Sequence, residues 1–163
     1  MILAEDKQRI DHWVKKFPQP KGAVLMALRI MQDRHGWLSD ESIDLVAEYL
    51  GLAQVDVYEV VSFYSMYRRE PGGRHYLKVC TSLSCCLAGS EGVIEYLQDK
   101  LDVLLGGTTQ DRRITLQETE CLGACQGAPV ALVNDQDYHL QLTPDTLDKL
   151  VDSLVLAPEA NDE

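Results

Sequence analysis

Four of the five cysteines are spaced in a way that few folds can satisfy. They form two short pairs, Cys80-x4-Cys85 and Cys121-x3-Cys125, with 35 residues (86 to 120) between the pairs. A fold that uses all four must bring two distant loops to one place. Four thiolates meet the ligand demand of a 2Fe–2S or a 4Fe–4S cluster. Soft thiolates suit zinc as well, but structural zinc sites favour tight C-x2-C knuckles. Spacers of four and three depart from that pattern. Small and turn-forming residues accompany each pair: Thr81, Ser82 and Ser84 in the first, Gly123, Ala124 and Gly127 in the second. They let backbone N–H groups approach sulfur, and such hydrogen bonds help to set a cluster's potential. The spacing thus favours an iron–sulfur centre and leaves a zinc-stabilised interaction domain as the alternative of another class.

Charge narrows the classes further. The chain has a net charge of −11, and it is unevenly spread. Residues 1–70 hold 9 basic and 11 acidic side chains, net −2, whereas residues 71–163 hold 6 and 15, net −9. Phosphate contacts need basic patches, so nucleic acid is not an expected partner. No apolar run approaches a membrane span. Met1 to Trp13 is charged and lacks the apolar core of a signal peptide. The expected location is the cytosol, where thiols stay reduced, and an odd number of cysteines fits poorly with a disulfide framework. No G-x-G-x-x-G follows a strand and there is no P-loop, so no nucleotide motif is present. Cys-x3-Cys is not the Cys-x-x-Cys of a thioredoxin-type oxidoreductase. His12, His35, His75 and His139 have no motif spacing for a Rieske-type site, so surface or packing roles are expected.

Periodicity divides the chain in two. Helices are predicted over Ile2–Phe17, Gly22–Asp33, a segment capped by Ser39 and closed by Gly51, and Gln54–Ser65. In the last, Val57, Val60, Val61 and Tyr64 are expected to face inward. Glu70-Pro71-Gly72-Gly73 is the clearest punctuation and sets the expected domain boundary. Beyond it, strands are predicted at Tyr76–Cys80, Arg113–Gln117, Val130–Val133 and Tyr138–Gln141. A helix capped by Ser90 is expected to run to about Leu101. Thr143-Pro144 opens a last helix with Leu147, Leu150, Val151 and Leu154 inward. Pro158–Glu163 reads as a frayed tail. The fold class is α+β: residues 1–70 as a helical bundle, then residues 71–163 as one sheet covered by helices.

The flanking sequence adds a resemblance. Cys-x4-Cys followed by Cys121-Leu122-Gly123-Ala124-Cys125-x-x-Ala128-Pro129 resembles the small 2Fe–2S subunit of respiratory complex I, NADH:quinone oxidoreductase, of the thioredoxin-like 2Fe–2S ferredoxin family. His35-Gly36-Trp37-Leu38 and Val57-Tyr58-Glu59-Val60-Val61-Ser62-Phe63-Tyr64 agree with it, and the likeness runs from about Gly22 to Leu154. It implies that Cys80, Cys85, Cys121 and Cys125 ligate one 2Fe–2S cluster, on a thioredoxin-like ferredoxin domain. It also implies a partner subunit that carries FMN and binds NADH. Residues 1–70 hold no metal ligand and carry Trp37 and the Tyr58–Tyr67 aromatics, so they are expected to dock against that partner. The complex would lie at the inner face of the cell membrane, with no membrane insertion by this chain and no complete active site on it. An NAD-dependent formate dehydrogenase, or an NAD-reducing or bifurcating hydrogenase, is the alternative home for the same module. Cys86 departs from the family's usual bulky apolar residue, and it is read as a small buried residue rather than a ligand. Pro129 is expected to be cis by the same likeness. Tyr58, Phe63, Tyr64 and Tyr67 are divided between core and contact surface.

Overall fold

The computed structural model describes residues 1–156, so the expected frayed tail lies outside the described residues. The chain divides into two compact units at Pro71/Gly72. In the first, α1 spans Ala4–Val14, α2 Val24–His35, α3 Asp40–Leu50 and α4 Gln54–Phe63, with a 3-10 turn at Pro20–Ala23 before α2. Their apolar stripes meet in one core that includes Ile10, Leu28, Met31, Leu38, Ile43, Val46 and Val57. Ser39 caps α3 as the sequence predicts, accepting from the Ser42 N–H at 3.1 Å, and Gly51 ends it at φ +66°. The first helix is shorter than predicted, because the chain has already left helical pairing before Pro18.

The inward face of α4 needs one correction. Val57 and Val61 are buried and Val60 is partly so, but Tyr64 is 39% exposed. The helix stops at Phe63, and Tyr64 is extended (φ −95°, ψ 111°), which takes its ring off the helical face. Phe63 is exposed beside it, with the two rings edge to face at 5.0 Å. Tyr67 instead turns inward and donates to the Leu25 carbonyl at 2.8 Å.

The second unit is built on a four-stranded sheet in the order β2-β1-β3-β4. Here β1 is His75–Cys80, β2 Ile114–Thr119, β3 Ala131–Val133 and β4 Asp137–His139. β1 and β2 run parallel, from His75 beside Ile114 to Cys80 beside Thr119. The other two pairs are antiparallel. Between β1 and β2 lie a short helix that the periodicity did not show, α5 (Leu83–Leu87), and the crossover helix α6 (Ser90–Leu101). The last helix, α7, spans Pro144–Leu156. Leu77, Val79, Ile114, Leu116, Ala131 and Val133 form the sheet side of the core, against Leu97 of α6 and Leu147, Leu150, Val151 and Leu154 of α7. Thr143 and Thr146 cap α7 reciprocally through their hydroxyls and N–H groups.

Ser90 is not a cap. Gly89, at φ +93°, holds the N-cap position, and Ser90 is the first helical residue. Its hydroxyl is buried without a hydrogen-bond partner. No helix among the described residues is long and apolar enough to cross a membrane.

Leu97 is fully buried where α6 meets the sheet. Leu97→Ala removes its methyl groups and leaves a cavity that the packed layers can only partly close. Denaturant unfolding of the variant should show a loss of about 2–5 kcal/mol. A loss under about 1 kcal/mol, the size of a tolerated core swap, would contradict this packing.

Candidate metal centre

The parallel pairing of β1 and β2 explains why the two cysteine loops meet. Both strands end on the same edge of the sheet, Cys80 beside Thr119. Cys80 closes β1, its N–H on the Val130 carbonyl at 3.0 Å, and the Thr81 N–H bonds the Thr119 carbonyl at 3.1 Å. The chain then turns at Ser82, whose carbonyl accepts from Cys85 and Cys86, and winds into α5. Cys85 is the inward residue of that helix.

The second loop leaves the same edge two residues past Thr119. It runs from Cys121 through Gly123 to a 3-10 turn at Cys125–Gly127 and a cis Ala128–Pro129 bond. Gly123 stands at φ +74°, a conformation that favours glycine. A side chain at Gly127 would meet Leu140 Cβ at 2.9 Å. Buried Cys80, Cys85 and Val130 pack with Leu122, Ala124 and Ala128 into a small cluster of their own, apart from the main core.

Contacts join the two loops: the Leu122 N–H reaches the Cys80 thiol, and Cys125 lies near enough to Cys85 to act on it. Cys121 Sγ lies 3.7 Å from Cys125 Sγ, and the Gly123 N–H reaches Cys121 Sγ at 3.5 Å. Burial pushes the Cys80 thiol up. The N–H groups of Ser82 and of Leu122, from the opposite loop, and the Cys85 thiol outweigh burial and leave Cys80 below its ordinary value. Cys85 moves the other way. Burial and the neighbouring Cys80 raise it, against an N–H from Val130, and Cys125 is near enough to add to the rise. Cys80 and Cys85 are buried, while Cys121 and Cys125 are exposed.

The donor set fits an iron–sulfur cluster. It consists of four thiols and convergent N–H groups from Ser82, Leu122, Gly123 and Val130. The sulfurs stand as two pairs. Among the described residues, no three Cys, His, Asp or Glu side chains gather in the way a single ion requires.

Cys86 differs from its expected burial. It is exposed, with its Sγ turned to Glu91 Oε1 at 3.9 Å. Consecutive residues of a helix point about 100° apart, so Cys85 facing inward turns Cys86 outward. None of the histidines joins the site. His75 packs against Asn134, its Nδ1 3.1 Å from the amide nitrogen. The N–H donors of Leu122 and Val130 have no signature of their own in the sequence, beyond the small residues around each pair.

A mixed four-stranded sheet with helices, and two thiol pairs on the loops where its parallel strands end, is the architecture of a thioredoxin-like iron–sulfur protein. The chain belongs to the thioredoxin-like [2Fe-2S] ferredoxin family, whose model matches residues 10–155. It is 39% identical to an NADH-quinone oxidoreductase subunit from Pseudomonas aeruginosa, over 94% of this chain and 93% of that one. With the chain of the same name from Escherichia coli it shares 37% identity, over 93% and 90% of the two chains. Among solved structures, an NAD+-reducing [NiFe]-hydrogenase has a similar fold, with a TM-score of 0.69 at 23% identity. That match covers 81% of this chain and 22% of the hydrogenase chain.

Proposed function

We propose that this chain is the electron-transfer subunit of an NADH:quinone oxidoreductase. In this reading Cys80, Cys85, Cys121 and Cys125 hold its 2Fe–2S cluster, Cys80 and Cys85 as one pair and Cys121 and Cys125 as the other. The observation that carries it is the meeting of the two thiol pairs at one sheet edge, in a chain 39% identical to an NADH-quinone oxidoreductase subunit over nearly its full length. When bound, the cluster supplies one-electron chemistry.

The residues of the chain do the rest. Burial of Cys80 and Cys85 keeps water from half of the ligand set. N–H groups from Ser82, Leu122, Gly123 and Val130 offset the negative charge on the sulfurs. The sequence has no recognisable nucleotide-binding motif, so the partner of this reading is a subunit that binds FMN and NADH. The assembly would lie at the inner face of the cell membrane. The greater identity to the NADH-quinone oxidoreductase chains, 37–40% against 23% for the hydrogenase, favours complex I over the hydrogenase-type alternative.

Purified protein should be red-brown and contain iron and acid-labile sulfide in equal amounts, about two of each per chain. Zinc in a colourless protein would overturn the reading. The unit that carries the thiols is also the acidic one, net −9 over residues 71–163. Reduction adds a further negative charge there, which nearby acid opposes, with salt screening the more distant groups. A redox titration should give a midpoint below zero, and a clearly positive one would contradict this.

A further inference from the structure

Ser82 stands where a serine ordinarily caps a helix, and its hydroxyl does something else. It is the N-cap residue of α5, at φ −68° and ψ 161°, yet its side chain caps no N–H. Ser39, in nearly the same backbone conformation (φ −72°, ψ 161°), caps α3 through the Ser42 N–H. The difference lies in the backbone. The Cys85 N–H is placed three residues past Ser82, as Ser42 is past Ser39. It is already taken by the Ser82 carbonyl at 2.9 Å, and the Cys86 N–H reaches the same oxygen at 3.0 Å. That releases the hydroxyl, which donates to the Cys80 thiol. The neighbouring Thr81 hydroxyl turns instead to the Thr119 carbonyl, at 3.5 Å.

The donors to Cys80 are of two kinds. The Ser82 and Leu122 N–H groups belong to the backbone and do not depend on which side chains stand there. The Cys85 thiol donates as well, but a thiol that ligates metal has given up its proton. The Ser82 hydroxyl is therefore the side-chain donor that stays beside this sulfur when all four thiols are ligands. Cys80 is buried and Ser82 half-buried, so little water competes for the contact. A hydrogen bond strengthens as its acceptor gains negative charge, so this one favours the reduced state over the oxidised. We propose that Ser82 is a positioning residue of the metal centre, whose hydroxyl, aimed at Cys80 Sγ, holds the reduction potential above the value that the backbone donors alone would give. The inference rests on the reading under Proposed function.

The test is a redox titration of the full-length, cluster-loaded chain beside Ser82→Ala and Ser82→Thr. Ser82→Ala should keep the iron and sulfide content of the parent and titrate at a lower potential. At the parent's midpoint its reduced-to-oxidised ratio should fall about tenfold, which is about 59 mV for a one-electron couple. Ser82→Thr retains a hydroxyl at the same place and should titrate with the parent. If Ser82→Ala loses iron, Ser82→Gly replaces it, because glycine is tolerated at an N-cap far better than alanine, and the same fall is expected. An unchanged midpoint in a cluster-loaded Ser82→Ala or Ser82→Gly protein overturns the inference. So does an equal fall in Ser82→Thr, or loss of iron in both Ser82→Ala and Ser82→Gly, since either makes residue 82 a builder of the loop and not a donor to sulfur. A parent that takes up no iron–sulfur cluster would refute the functional reading instead.

Discussion

Cys85→Ala should yield a protein without its cluster, while Cys86→Ala, one residue on, should keep iron, sulfide and colour at the parent's level. Cys85 is buried, linked to Cys80 and Cys125, and receives the Val130 N–H. Removing it leaves an iron short of one thiolate inside a small apolar cluster that offers no replacement. Cys86 points to Glu91 and solvent, and the turn of α5 keeps it from swinging into the vacated place. The same loss is expected for Cys80→Ala, Cys121→Ala and Cys125→Ala. Visible absorption and iron content after anaerobic purification decide the matter. A Cys86→Ala protein that is bleached, beside a Cys85→Ala protein with an intact spectrum, would move the first ligand pair by one residue.

The sequence was informative where local chemistry dictates structure. Ser39 and Gly51 bracket a helix because a hydroxyl can accept from the first turn and glycine can adopt positive φ. The four inward residues of α7 follow from a 3.6-residue period and are all buried. The thiol pairs stood out because few arrangements of four thiols have that spacing. What escaped was set by tertiary contact. α5 is only five residues long, too short for a periodic signal. Ser90 has the side chain of a cap, yet Gly89 takes the cap position at a backbone angle that glycine tolerates best. Tyr64 fits the apolar stripe of α4, but the helix ends one residue earlier. Cys86 looked like a small core residue, and its exposure depends on α5, which the pattern did not reveal.

A chain beginning at Gly72 should fold, bind the cluster and remain red-brown, yet fail to co-purify with the flavin-bearing subunit. The second unit has its own core, from Leu77 to Leu154, and holds all four thiols. At about 90 residues it is in the range where a single domain is stable alone. The first unit contributes no cysteine, but it exposes apolar side chains that its own core does not use: Val55 at 65%, Phe63 at 80% and Tyr64 at 39%. Aromatic side chains are enriched at interface centres, so Phe63 and Tyr64 are the side chains that docking to the partner of the proposed function would use. If both units touch the partner they share the entropy of association, and losing the first unit then weakens binding by about 10²–10⁴-fold. A unit that merely shields the ferredoxin domain predicts a different outcome, in which the shortened chain aggregates or loses iron. Co-purification and Kd with the flavoprotein, measured beside the visible spectrum, separate the two. If the shortened chain stays red-brown and binds its partner at full strength, the helical unit has no part in docking.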